Sequence, residues 1–208
     1  MKKLLLVFVL FVSVSFSGTA FATMIDFTDA SWQAADGLSS YSASGITLSA
    51  NSGSTLWHNL SDGDGIGIRS GYDPDEIDGS DVLQVTFDST VTLDTIYVAD
   101  LFYNECRNGG NGQYCYNEIG YYSLDGVSWT TFTALSTNTS NGEMSIAIGQ
   151  AVTSFWLKAP GKIGDPVQDH EFSLQKLAYT SVPEPSVMLL LGSGLFGVAF
   201  FSRFRRTV

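Results

Sequence analysis

Hydrophobic and polar residues alternate through most of the central part of the chain, in short runs separated by Gly, Asp, Asn and Ser. Alternation with a period of two is typical of strands with one buried face, whereas helices repeat about every 3.6 residues. Ten or eleven strands are predicted, at 24–28, 45–50, 54–58, 65–69, 82–87, 91–103, 118–124, 128–134, 143–149, 152–159 and 171–180. Between Leu93 and Ile96 the alternation shifts, which predicts a bulge or a bend between sheets. We expect an all-β fold, a β-sandwich of jelly-roll type.

The first 22 residues have a different pattern. Lys2 and Lys3 precede an apolar run, Leu4–Phe16, and the tripeptide Ala20-Phe21-Ala22 follows. A charged start, a short apolar segment and a small-x-small site are typical of a secretory signal peptide. We expect cleavage after Ala22, with an uncleaved N-terminal anchor as the alternative.

The C-terminal residues contain a second apolar segment. Val187–Phe201 comprises 15 residues without charge, close to the lower limit for crossing a bilayer as a helix. The basic residues Arg203, Arg205 and Arg206 follow and would keep this end in the cytoplasm. The sequence predicts a signal peptide at 1–22, a sandwich domain at 23–180 and a C-terminal segment at 181–208 with a single transmembrane helix. A buried core helix is the alternative for Val187–Phe201.

The C-terminal segment resembles a known sorting signal. The residues that carry the resemblance are Val182, Pro183, Glu184, Pro185 and Ser186, then Leu-Gly-Ser-Gly-Leu-Phe-Gly at 191–197, and the basic residues Arg203, Arg205 and Arg206. In this order they look like the PEP-CTERM signal. The resemblance implies processing by an exosortase, a precursor held in the inner membrane by its C-terminal helix, and final residence at the cell surface or outside the cell.

A second, shorter resemblance concerns the domain. Ser123-Leu-Asp125-Gly126-Val-Ser-Trp129 combines a hairpin-turn dipeptide with a nearby Trp. It is similar to the Ser-x-Asp-Gly-x-x-Trp hairpin of galactose-binding-like, discoidin-like jelly rolls. In those folds the hairpin is structural, so the resemblance implies a fold and no sugar site.

The charge of the domain excludes polyanionic partners. Residues 23–182 contain 20 Asp and Glu but 5 Lys and Arg, a net charge of −15, compared with −11 for the whole chain. Such a surface repels nucleic acid and anionic lipid. It suits divalent cations or simple solubility outside the cell.

The two cysteines, Cys106 and Cys115, are nine positions apart in a chain that we expect to be exported. A disulfide is the simplest prediction for such a pair in an oxidising compartment. A metal site would need further ligands.

Carboxylates are concentrated between residues 61 and 81. The candidate Ca²⁺ ligands of this acidic loop are Asp62, Asp64, Asp73, Asp75, Glu76, Asp78 and Asp81, and Glu171 at the start of the last predicted strand could join them. Clustered carboxylates repel one another unless they are solvated or bridged by a cation, and Ca²⁺ takes six to eight oxygen ligands. A structural Ca²⁺, a solvated loop and a catalytic carboxylate pair all remain open.

No nucleophile elbow, metalloprotease helix, phosphate loop or dinucleotide motif occurs, so no catalytic residue is assigned. Tyr114 and Tyr116 flank Cys115 near a loop tip and are the predicted exposed platform for a glycan, with ordinary packing as the alternative. We therefore expect a non-enzymatic exported protein of the cell surface or polysaccharide matrix, with exopolysaccharide and Ca²⁺ as candidate ligands. The alternative is a small secreted polysaccharide hydrolase or lyase that uses the acidic loop.

Overall fold

The computed structural model describes residues 22–59, 63–69, 76–109, 112–160 and 170–182, together with Gly194. These residues form a short 3₁₀-helix, Ala30–Ala35, and twelve strands: β1 Ala22–Asp26, β2 Ser40–Ala43, β3 Ile46–Ala50, β4 Thr55–Asn59, β5 Gly65–Arg69, β6 Leu83–Ala99, β7 Glu105–Gly109, β8 Gly112–Tyr116, β9 Ile119–Ser123, β10 Thr130–Thr133, β11 Met144–Lys158 and β12 Ser173–Ser181. Residues Ala22–Ser181 make one compact unit. The all-β prediction is confirmed.

Two long strands, β6 and β11, organise the sheet. They pair antiparallel over almost their whole length, and the strand order is β10-β9-β11-β6-β12-β5-β4. The first part of β6 also pairs with β3, and its second part pairs with β12. Strand β12 in turn pairs with β1, and β2 pairs with β3. The long strands thus belong to both halves of a β-sandwich.

The sandwich bends where β6 passes from one set of partners to the other. The pairing of β6 with β11 moves from Val91↔Val152 to Thr86↔Ser154, so four residues of β6, 87–90, lie opposite one residue of β11, Thr153. Alternating apolar residues line the core on both sides of this bend, with Leu83 and Val85 before it and Leu93 after it, all fully buried. Phe155 of β11 is also fully buried and completes this part of the core.

The predicted bulge is confirmed. Thr95 pairs with Ala178 and Leu93 pairs with Tyr179, so Asp94 is an extra residue of β6 relative to β12. The extra residue shifts the inward-facing positions from Leu93 to Ile96, which is the shift seen in the sequence.

Some predicted boundaries are wrong. Segments 82–87 and 91–103 form the single strand β6, and 143–149 and 152–159 form the single strand β11. The chain bends at these points, but β6 and β11 remain paired with each other on both sides of the bend. The turn-forming residues there therefore do not end the strands. Strands β2, β7 and β8 and the 3₁₀-helix were missed, although Asp29 Oδ1 caps that helix by accepting a hydrogen bond from Ser31 N at 2.8 Å.

Strands β7 and β8 form a separate two-stranded sheet. Cys106 pairs with Cys115 in its register, and a disulfide joins them. The predicted disulfide is confirmed.

Candidate functional site

Three glutamates from different parts of the chain converge beside the disulfide hairpin. Glu105 begins β7, Glu118 lies between β8 and β9, and Glu171 lies two residues before β12. One carboxylate oxygen from each lies within 4.8 Å of the other two. We call this group the carboxylate cluster. Among the described residues, this is the group of Asp, Glu, His or Cys side chains that lie close enough together to bind one metal ion.

Glu118 is the most constrained member of the cluster. Its backbone N–H donates to the carbonyl of Phe102 at 3.0 Å, and its carbonyl accepts from Ala134 N at 2.8 Å. Its side-chain Oε2 accepts from Phe102 N at 2.6 Å. The residue is completely buried, and Oε1 receives no hydrogen bond from a donor that the structure describes. The carboxylate is therefore fixed with one oxygen directed at other acidic groups.

The environment disfavours the charged form of Glu118. Burial is the largest cause, and the nearby carboxylates of Glu105 and Glu171 add to it, so that the pKa of Glu118 rises to about 10. The hydrogen bond from Phe102 N acts in the opposite direction but does not compensate. A buried carboxylate in this position requires a proton or a cation.

His170 supports the cluster from the side. Its ring contacts Tyr116 edge to face, with centroids 5.4 Å apart, and its Nδ1 accepts a hydrogen bond from Ile119 N at 3.3 Å. These two contacts hold His170, the neighbour of Glu171 in the chain, between β8 and the start of β9.

The predicted Ca²⁺ ligands of the acidic loop do not all lie in the part of the chain that the structure describes. Asp62, Asp73 and Asp75 lie outside the described residues, Asp64, Asp78 and Asp81 are buried, and Glu76 is half-buried. The acidic loop and the start of the last strand do meet, since Ile77 N donates to the carbonyl of Phe172 at 2.7 Å. In the described residues, however, the carboxylate of Glu171 is grouped with Glu105 and Glu118.

The predicted glycan platform is wrong in one of its two residues. Tyr116 is only 8% exposed because its ring packs against His170. The side chain of Tyr114 lies outside the described residues. Tyr116 pairs with Glu105 at the base of the hairpin, whereas the tip lies at the Gly109–Gly112 pair, so its position beside Cys115 does not give exposure.

Other aromatic side chains are half-exposed. The ammonium group of Lys158 lies 4.0 Å from the ring centroid of Trp129 and 5.6 Å from that of Tyr121. The guanidinium of Arg69 lies 4.1 Å from the ring of Trp57. Trp129, the tryptophan of the Asp125-Gly126 hairpin, is therefore a half-exposed residue beside Lys158.

A cleft of about 610 Å³ lies between the β9–β10 hairpin and the middle of β11. Its lining combines one aromatic ring with hydroxyl, amide and carboxylate groups: Tyr122, Asp125, Ser128, Thr130, Gln150 and Thr153. Asp125 is held by the hairpin turn, where its Oδ1 accepts from Val127 N at 2.8 Å and Ser128 N at 2.6 Å. These hydrogen bonds lower the pKa of Asp125, so this carboxylate is charged at neutral pH.

Glu105, Glu118 and the cleft were not predicted from the sequence. Each glutamate is a single acidic residue without acidic neighbours, so local density gave no signal. One signal was available. In a hairpin closed by Cys106 and Cys115, acidic residues that flank the two strands lie near each other, because antiparallel pairing brings both ends of the hairpin together.

The sorting-signal residues mostly lie outside the described part. Val182 is described and exposed, whereas Pro183, Glu184, Pro185, Ser186, Arg203, Arg205 and Arg206 are not described, and neither is Ala20 of the predicted signal cleavage site. Ala22 begins β1 and is exposed. No helix within the described residues is long and apolar enough to cross a membrane.

Fold and disulfide together define the class: an all-β sandwich stabilised by a disulfide, which is typical of proteins in oxidising compartments. Residues 181–206 match the PEP-CTERM protein-sorting motif. The motif indicates an exported surface protein that is made as a membrane-anchored precursor and processed by an exosortase. No curated protein matches the chain.

Proposed function

We propose that the sandwich is a non-enzymatic, glycan-binding protein of the cell surface or the extracellular polysaccharide matrix. The observation that carries this proposal is the cleft beside β9, β10 and β11. Its volume lies within the range of about 300–1,000 Å³ that is usual for small-ligand sites. The aromatic face of Tyr122 offers an apolar surface for a sugar ring, and Thr130, Gln150 and Thr153 offer groups for its hydroxyls.

The charge of the domain narrows the class of glycan. With a net charge of −15 over residues 23–182, the domain repels an anionic polymer, and Asp125 adds a negative charge in the cleft itself. Neutral polysaccharides therefore fit the cleft better than uronic-acid polymers. Carboxylates accept hydrogen bonds from neutral sugar hydroxyls, so Asp125 suits the same ligands.

The hydrolase or lyase alternative has less support. The acidic-loop carboxylates Asp64, Asp78 and Asp81 are 7%, 6% and 1% exposed. A catalytic carboxylate has to come within hydrogen-bond reach of its substrate. A buried carboxylate cannot do so while these residues keep their observed positions.

Retention on immobilised neutral and acidic polysaccharides tests the proposal. Gln150→Ala removes an exposed amide that lines the cleft, and Gln113→Ala is the matched control, because Gln113 is also exposed but lies on β8. We expect Gln150→Ala alone to weaken retention on a neutral polysaccharide. Loss with Gln113→Ala instead would move the site to the disulfide hairpin. If the protein without substitutions is not retained, glycan binding is refuted and a purely structural role in the matrix is left. Release of reducing sugar would support the hydrolase or lyase alternative.

A further inference from the structure

We propose that the carboxylate cluster binds one divalent cation, Ca²⁺, through the side-chain oxygens of Glu105, Glu118 and Glu171. This site is separate from the cleft, and its test does not depend on glycan binding. Its geometry is the first support, since the three oxygens lie within 4.8 Å of one another and come from three different segments. A cation there would join the disulfide hairpin, the link before β9 and the start of β12.

The second support is the buried, incompletely bonded carboxylate of Glu118. Its Oε2 is bound to Phe102 N, but Oε1 has no described hydrogen-bond donor although the side chain is completely buried. The cluster brings carboxylate oxygens of Glu105 and Glu171 within 4.8 Å of one Glu118 oxygen, and ionised carboxylates accept rather than donate hydrogen bonds. A metal ion bonded to Oε1 would compensate this buried oxygen.

The described basic side chains lie elsewhere. Lys158 contacts Trp129, Arg69 contacts Trp57, and Lys176 forms an ion pair of 3.2 Å with Asp26. These three side chains therefore do not supply the positive charge for the cluster.

The chemistry of the ligands favours calcium over other common cations. All three are hard carboxylate oxygens, whereas Zn²⁺ sites usually include Cys or His. With Glu118 bound through Oε1 and the other two glutamates bidentate, the cluster supplies five oxygens, and one further oxygen gives six, the lower limit for Ca²⁺. Mg²⁺ usually retains several waters, and the burial of Glu118 and Glu171 leaves little room for them.

Thermal unfolding of the full chain tests the site, with the protein exported so that its disulfide forms and then purified in detergent. After treatment with EDTA, added Ca²⁺ should raise Tm by about 5–10 °C when its concentration is about 100-fold above Kd. Titration calorimetry should give one Ca²⁺ per chain, and Mg²⁺ should shift Tm less. An unchanged Tm and no heat at millimolar Ca²⁺ would overturn the proposal, and the cluster would then hold a proton.

Variants separate metal binding from a purely structural role. Glu118→Gln and Glu105→Gln should each abolish the calcium shift, and neither should lower Tm in EDTA, because the amide is close in size to the carboxyl group and adds no charge beside the remaining carboxylates. Asp88→Asn is the control, since Asp88 is an exposed carboxylate in the bend of β6, outside the cluster. It should keep the full shift. Glu105 is half-buried, so its variant remains informative even if Glu118→Gln fails to fold. A full calcium shift in both glutamine variants would place Ca²⁺ elsewhere and overturn the assignment.

Discussion

Gly65 permits the close approach of β5 to β12, and replacing it with Ala should destabilise the sandwich strongly. Its φ of +107° lies in a region that residues with a Cβ rarely adopt. A Cβ at this position would lie 2.3 Å from the carbonyl oxygen of Leu174 and 3.0 Å from Gln175 Cα. Both neighbours are backbone atoms of β12, so neither can rotate away, and the two strands would have to separate.

The expected cost has two parts, and a second glycine separates them. Gly53 has a φ of +91° but no atom within 4 Å of an added Cβ, so Gly53→Ala carries the backbone strain alone. That strain is about 1–3 kcal/mol, reduced slightly by the lower entropy of the unfolded chain. Forcing a methyl group into a packed position adds about 1–3 kcal/mol at Gly65. We expect Gly65→Ala to lose about 2 kcal/mol more than Gly53→Ala.

Urea unfolding followed by tryptophan fluorescence measures both losses, because Trp32 is only 4% exposed and reports on the core. The m-values should stay equal, so that midpoints convert directly to free energies of unfolding. Equal losses in the two alanine variants would refute the reasoning, since the contact with Leu174 would then have no energetic weight.

Three further predictions concern the disulfide, the hairpin turn and the sorting signal. Replacing Cys106 and Cys115 together with Ser should lower the free energy of unfolding by about 2.7 kcal/mol in the chain-entropy model for a loop of about ten residues, as measured by urea unfolding; a loss below about 1 kcal/mol would contradict this model. Hydrogen bonds in the turn lower the pKa of Asp125 below its usual value of 3.8, so the charged Asp125 should stabilise the fold fully above pH 3.8 and progressively less as the pH falls further. Asp125→Asn should flatten this decline of Tm in acid, and Asp88→Asn should not. Replacing Pro183 and Pro185 with Ala should leave the precursor uncleaved in the membrane fraction, and normal processing of this variant on an immunoblot would mean that the matched motif is not the recognised signal.

Most of the strands could be predicted from the sequence because inward and outward positions alternate within each strand. Gly65–Arg69 is an instance in which the predicted and observed bounds agree. The bends of β6 and β11 could not be predicted, because the turn-forming residues Asp88, Ser89 and Thr90 continue a strand whose partners change around them. Local preferences identify a break in regularity, but tertiary pairing decides whether the strand ends there.

The candidate cation site was harder to predict than the fold for a related reason. The sequence shows only how densely carboxylates follow one another along the chain, and this density is highest in residues 61–81, where the Ca²⁺ ligands were predicted. Density in space depends on packing, and packing brings Glu171 to Glu118 across 53 positions of sequence. Glu171, predicted at the start of the last strand, belongs to both the predicted and the observed set of candidate ligands, whereas Glu105 and Glu118 were not predicted. The galactose-binding-like resemblance of the hairpin around Asp125 remains a prediction.

The predicted cleavage points and the carboxylate cluster lie at opposite ends of strand β12. Ala22 at the start of β1 pairs with Thr180 near the end of β12, so the chain enters and leaves the domain at neighbouring points. Glu171 precedes the opposite end of β12, about 30 Å from Thr180 at roughly 3.3 Å per strand residue. Phe102, which holds Glu118, follows the end of β6 that pairs with Ser173. Cleavage after Ala22 or near Pro183 therefore removes chain at one end of β12, whereas the carboxylate cluster and the disulfide hairpin lie at the other, so the cation site in the precursor should be the same as that in the processed protein.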